Sequence, residues 1–155
     1  MGTSEEYYAG IGARKAPEDV LARMTKLATI LYKRGYTLRS GGAEGPDKAF
    51  EQGAGKSEII LASQHLPLWT NVFTEYFHPN PRALKTYPWK LMSRNAVQIL
   101  GLDGDTPVKF VVCYTADGKD SGGTGHAIRI AKYFDIPVFN FYHEDQIEAL
   151  KGVLL

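Results

Sequence analysis

The chain has 155 residues, 44% hydrophobic and 23% charged, with 18 basic and 17 acidic side chains and a formal net charge of +1. That length supports one full core and is short for two ordinary domains, so residues 1–155 are expected to form a single domain. The even charge argues against a protein living on duplex DNA through phosphate contacts, without excluding a local basic groove, and the single cysteine excludes an internal disulfide or a multi-cysteine metal site. Every apolar run is strand-sized, and the first residues lack the basic and apolar regions of a signal peptide. The expected setting is the cytoplasm, away from a membrane.

In chain order, residues 7–11 read as a strand and 12–17 as a turn. Glu18 and Asp19 then open a helix, where acids suit the positive end of the dipole. Val20, Met24, Leu27, Ala28 and Leu31 give that helix one apolar face, and Gly35 stops it. Residues 36–38 suit a buried strand, and a short helix runs to about Gly53. Residues 57–62 read as a third strand. Residues 65–81 hold Trp69, Phe73, Tyr76 and Phe77 among prolines, show no clean period, and are expected to be a loop or packed insertion. Residues 87–100 read as a helix with Met92, Ala96 and Ile99 on an apolar stripe and Lys90, Arg94 and Gln98 on a polar one. Residues 108–114 form an apolar strand suited to the sheet centre, with Cys113 as a buried structural thiol. A helix from His126, a strand over 137–141 and a helix over 143–150 complete the chain. This alternation predicts an α/β fold, a Rossmann-like three-layer sandwich with a mainly parallel sheet.

Two glycine-rich turns stand out. Ser40-Gly41-Gly42-Ala43-Glu44-Gly45-Pro46-Asp47 joins a strand to a helix, with Pro46 suited to the first helical position. Ser121-Gly122-Gly123-Thr124-Gly125-His126 repeats the pattern. Such turns offer backbone amides and a helix N-terminus to an anion, usually phosphate. In parallel sheets ligands bind beyond the carboxyl ends of the strands where the topology reverses. That rule gathers the turns at 12–15, 40–45 and 115–125 on one rim. Gly12, Ser40, Gly41, Gly42, Gly45, Gly122, Gly123 and Gly125 are then ligand-binding candidates, with Ser121 and Thr124 as hydroxyl donors or helix caps. Arg14 and Arg39 are candidate phosphate ligands. Asp47 is expected to brace the helix start or hold a ribose hydroxyl. Glu44 is the candidate acid for chemistry on a glycosidic bond. His126 is expected to be exposed or capping. The other histidines show no metal-ligand spacing, and the pattern calls for no metal and no cofactor.

Gly10-Ile11-Gly12-Ala13-Arg14 followed by residues 40–47 resembles the opening of the DprA/Smf DNA-processing family, with its G-x-R-like element and S-G-G-A-x-G-x-D turn. Ser93-Arg94-Asn95 resembles that family's R-N-R element, and Ser121-Gly122-Gly123-Thr124 with Ala127 its second glycine turn. The resemblance covers about residues 7–141 and extends to small phage-type relatives. It implies the SLOG superfamily of Rossmann-like nucleotide-binding domains, which also holds the lonely-guy (LOG) cytokinin-activating enzymes, and it adds Arg94 to the binding candidates. Relatives often pair, so a homo-oligomer is a further expectation. The additional domains common in DprA proteins are not seen in this sequence. Aligning the LOG motif on Gly122, Gly123 and Gly125 places His126 at its threonine and Ile128 and Arg129 around its acid, where no glutamate stands.

The leading expectation is a domain that binds a nucleotide or nucleotide-derived ligand, with N-glycosidic hydrolysis as an enzymatic extension. A single-stranded DNA binder is ranked second because of the even charge; Arg14, Arg39, Arg82, Lys85, Lys90 and Arg94 would form its basic track and the aromatics its stacking surfaces. A sensor or sequestering protein for a signalling nucleotide is the third.

Overall fold

A computed structural model describes residues 5–12 and 15–154; the candidate Arg14 lies outside them. Strands β1 (Glu6–Gly10), β2 (Tyr36–Ser40), β3 (Ser57–Ile59), β4 (Phe110–Cys113) and β5 (Val138–Asn140) form one five-stranded sheet in the order β3-β2-β1-β4-β5. Every pairing is parallel. Helices α1 (Glu18–Lys33), α2 (Pro46–Gly53), α3 (Trp69–Phe77), α4 (Thr86–Leu100), α5 (Gly122–Tyr133) and α6 (Glu144–Leu154) cover its two faces.

Strand alternation assigns the faces. Tyr8, in register with Leu38 and Phe110, points toward the layer of α1, α2 and α6, where Met24, Leu31, Phe50 and Leu150 close the core. The Tyr8 ring stacks on Phe110 at 5.7 Å and meets Phe50 edge-on at 6.2 Å. Ala9, Val111 and Cys113 point to the opposite layer, against Ala96, Ile99, Ala127 and Ile130. Cys113 is fully buried, and burial pushes its thiol up to about 12, so it is the structural thiol expected.

Several boundaries differ from expectation. β3 ends at Ile59, because its partner β2 ends at Ser40 and the last ladder bond runs from the Ile60 amide to the Ser40 carbonyl at 2.8 Å. β4 is likewise confined to Phe110–Cys113. α5 starts at Gly122 rather than His126, so the second group of glycines forms the helix's first turn instead of a loop before it.

The stretch without a clean period contains α3. Trp69, Phe73 and Phe77 are spaced i, i+4, i+8 and form its inward stripe, with ring centroids 5.2 and 5.6 Å apart. Phe73 stacks on Phe134 at 6.0 Å, and the Trp69 indole donates to the Leu102 carbonyl at 3.1 Å. At the far end the Arg129 Nε donates to the Phe77 carbonyl at 2.8 Å, closing a helix C-terminus with a cation. The polar stripe expected on α4 is broken up: Lys90 is exposed, Arg94 half-buried and Gln98 fully buried.

Phe73→Ala is expected to lower the unfolding free energy by about 2–3 kcal/mol, short of the cost for a fully buried phenylalanine. Tyr76→Ala, on the exposed side of α3, is expected to cost less than about 0.5 kcal/mol. Equal effects in denaturant titration would contradict this packing.

Candidate functional site

A cleft of about 550 Å³ opens at the carboxyl edge of the sheet. Ile11 and Gly12 after β1, residues 41–44 after β2, residues 61–63 after β3, and Gly123 and Thr124 of α5 line it. α4 contributes Tyr87, Leu91, Met92, Arg94 and Asn95. β1 lies between β2 and β4, so chain order runs outward from it in both directions, and the cleft sits at that reversal. The two glycine turns thus share one rim. Of the sequence candidates, Gly12, Gly41, Gly42, Glu44, Asp47, Arg94, Gly123 and Thr124 line the cleft, whereas Arg39, Ser40, Gly45, Ser121, Gly122 and Gly125 do not.

The first turn is not a cradle of free amides, contrary to expectation. The Gly42 amide donates to Ser40 Oγ at 3.2 Å, and the Ala43 amide to Asp47 Oδ2 at 3.1 Å. The Gly41 amide also favours the Asp47 carboxylate. Ser40 is fully buried and gives its own proton to Glu51 Oε2 at 2.6 Å, so it organises the turn instead of reaching a ligand. Gly45 serves as the N-cap of α2 at φ +90°, where its carbonyl accepts the Ala49 amide.

Asp47 is therefore the brace of this turn. It is buried, and burial pushes its carboxyl up to about 6, an effect opposed by the nearby Arg94 cation and the Ala43 amide. Gly41 makes this grouping possible. A Cβ there would stand 2.7 Å from Arg94 Nε and 2.9 Å from Asp47 Oδ2, so a side chain would displace one or the other.

The second turn differs from the first. Among the described residues, none accepts a hydrogen bond from the amides of Gly122, Gly123 or Thr124, while the Gly125 amide begins the helical ladder by donating to Ser121 O at 3.0 Å. Ser121 does not cap the helix: its hydroxyl donates to Asp117 Oδ1 at 2.7 Å and fixes the preceding loop. Gly125 is packed against the Asp120 carbonyl, which a Cβ would approach to 2.5 Å. Asn95 Nδ2 donates to the Gly123 carbonyl at 2.8 Å and joins α4 to this helix start. Its position beside Arg94 in the Ser93-Arg94-Asn95 element was the available sequence signal. Tyr87, Leu91 and residues 61–63 had no such signal, because only the fold carries α4 and the end of β3 over the rim.

Arg39 requires correction. It does not reach the cleft and is fully buried, with Nη1 donating to the Thr106 carbonyl at 2.6 Å, Nε 3.7 Å from Glu58 Oε1 and its guanidinium 4.1 Å from the Tyr7 ring centre. It is a structural cation. His126 is buried rather than exposed; it lies near Phe77 and His78, and neither ring nitrogen has a hydrogen-bond partner among the described residues. Burial, with Arg129 and His78 adding repulsion, pulls its imidazole down to about 3. Glu44 is exposed on the cleft edge. Among the described residues no cluster of three or more potential metal ligands forms, and no helix is long and apolar enough to cross a membrane.

No protein-family model and no curated protein sequence matches this chain. A solved structure of DNA processing protein A from Helicobacter pylori, described for its single-stranded DNA binding mode, is similar with a TM-score of 0.60 and 19% sequence identity. The match covers 88% of this chain and 65% of that one. At this identity the likeness is one of fold, and it bears out the Rossmann-like sandwich.

His126 and Asp47, both buried, act oppositely on stability. His126 stays neutral in the folded chain down to about pH 3, whereas its ordinary pKa is 6.5, so stability falls as pH falls through that window. Folded Asp47 takes its proton at about pH 6 instead of the ordinary 3.8, so its contribution rises as pH falls between those values. Asp47→Asn removes the compensating slope. Between about pH 6 and pH 4 the variant is expected to lose stability more steeply than the wild type, by up to about 1.4 kcal/mol per pH unit. Parallel pH profiles in chemical denaturation would rule out this balance.

Proposed function

We propose that this chain is a single-stranded DNA-binding domain whose cleft at the carboxyl edge of the sheet receives a nucleotide of the strand. The observation that carries this reading is the pairing, across one cleft, of the Arg94 guanidinium with the amides of Gly123 and Thr124, which meet no acceptor among the described residues. A guanidinium fork and a helix N-terminus both suit phosphate oxygens. Tyr87 at the cleft edge is 58% exposed and offers a ring for a base to stack on. The likeness in fold to DNA processing protein A supports a strand over a free nucleotide. The low net charge, which favoured the free nucleotide, is a sum over the whole surface and says little about one rim.

A free mononucleotide, cleaved at its N-glycosidic bond, is the second reading. Its support is Glu44, an exposed carboxylate on the same cleft. Such a reaction needs an acid or base near the sugar, and Asp47 is committed to holding the first turn.

Two measurements separate these readings. The wild type is expected to bind oligothymidylate more tightly than thymidine monophosphate, with affinity falling as salt rises. Arg94→Ala should weaken oligonucleotide binding about tenfold or more, and Arg94→Lys should recover only part of it because the fork is lost. Binding of the monophosphate in preference to the oligonucleotide would overturn the first reading. In the second, incubation with nucleoside monophosphates releases free base and Glu44→Gln slows release by about a hundredfold or more. Release at the wild-type rate by Glu44→Gln would remove Glu44 from the chemistry, and no release by the wild type would leave a binding domain.

A further inference from the structure

Beside the first cleft lies a second, of about 670 Å³, between the loop that follows β3 and the N-terminal half of α4. The two share Ser63, and the first turns of α4 form the ridge between them, with Tyr87 and Arg94 on one side and Trp89, Lys90 and Ser93 on the other. Their electrostatic character differs. The first cleft carries Arg94 together with Glu44 and Asp47, so its cation is offset. The second is lined by Lys85, Lys90 and His65, and no carboxylate is among its described lining residues. Lys85 and Lys90 are exposed and enter no ion pair among the described residues. The Trp89 indole is held by a hydrogen bond from Nε1 to Asn71 Oδ1 at 2.8 Å, which presents a fixed ring at the cleft wall.

We infer that the second cleft binds the nucleotide adjoining the one in the first, so that the ligand is a strand crossing the α4 ridge. This rests on the strand-binding reading of the first cleft and extends it to a second phosphate site. Lys85 and Lys90 take the adjoining phosphate as point charges, and Tyr87 and Trp89 offer rings to the bases on either side of the ridge. The arrangement also reconciles a near-neutral protein with a polyanionic ligand, because the second cleft sets Lys85 and Lys90 on the strand's path with no carboxylate among its described lining residues. A mononucleotide reaches only the first cleft, so occupancy of the second distinguishes a strand from a free nucleotide.

The test compares the wild type with the double variant Lys85→Ala/Lys90→Ala, using a short labelled oligothymidylate and thymidine monophosphate over a series of salt concentrations. The variant is expected to bind the oligonucleotide about tenfold more weakly, and its dependence of log affinity on log salt should be shallower by about 0.7 for each phosphate that is no longer neutralised. Monophosphate affinity and thermal melting should match the wild type, and Lys85→Arg/Lys90→Arg should restore oligonucleotide binding. Equal oligonucleotide affinity and salt slope in wild type and variant would overturn the second site and leave the first reading standing. Loss of monophosphate and oligonucleotide affinity together would place the lysines at the first site and overturn the division into two. A wild type that binds the monophosphate and not the oligonucleotide would overturn the strand-binding reading, and this inference with it.

Discussion

The arrangement of the rim depends on one buried carboxylate. Asp47 Oδ2 holds the Ala43 amide, the Arg94 cation lies beside it, and the missing Cβ of Gly41 leaves room for both. Burying a carboxylate is costly unless it is paired and hydrogen-bonded, and here the partners come from β2's turn and from α4. The same group thereby sets the shape of the first turn and the position of the cation that faces the cleft. This explains why a turn so rich in glycine is not itself the anion cradle: its amides are already committed to Ser40 and Asp47. The glycines serve close packing, and the amides that meet no acceptor among the described residues are those at the start of α5.

α4 is the element through which the layers communicate. Its core face packs Ala96 and Ile99 against the sheet, Asn95 ties it to the start of α5, and Arg94 reaches the cleft from the same turn. Its outer side is covered where α3 and α5 pack against it, with Phe73 and Phe77 sealing the aromatic cluster around Phe134 and Tyr133. α3 thus has an indirect part in the site: it supports the helix that carries the cation, and the loop leading into it forms one wall of the second cleft.

Charge illustrates how a whole-chain sum can hide a local arrangement. The formal net charge of +1 describes a surface on which Arg23 meets Glu144 and Lys56 meets Glu5, neither pair lining the cleft. Such exposed pairs contribute little energy yet cancel in the total. Arg39, a candidate cation by sequence, is withdrawn into the core to meet Thr106, Glu58 and Tyr7. What remains at the rim is a small set of cations whose position, more than their number, bears on function.

The sequence by itself determined the alternation of strands and helices, the inward stripe of α1, the buried Cys113 and the location of both glycine turns. These follow from local periodicity, turn chemistry and the rule that parallel strands need crossover helices. The aromatics of α3 showed no clean period among the flanking prolines, and the structure alone set Trp69, Phe73 and Phe77 on one helical stripe. Tertiary structure alone decided which way individual polar side chains turn. Arg39 is drawn inward where Thr106, Glu58 and Tyr7 meet it, Gln98 is fully buried, and Ser40 and Ala43 make their hydrogen bonds inside the turn to Glu51 and Asp47, which α2 brings back to it. Each of these depends on a partner distant in the chain or on a fold of the backbone that residue type does not encode, and they decide which atoms a ligand can reach.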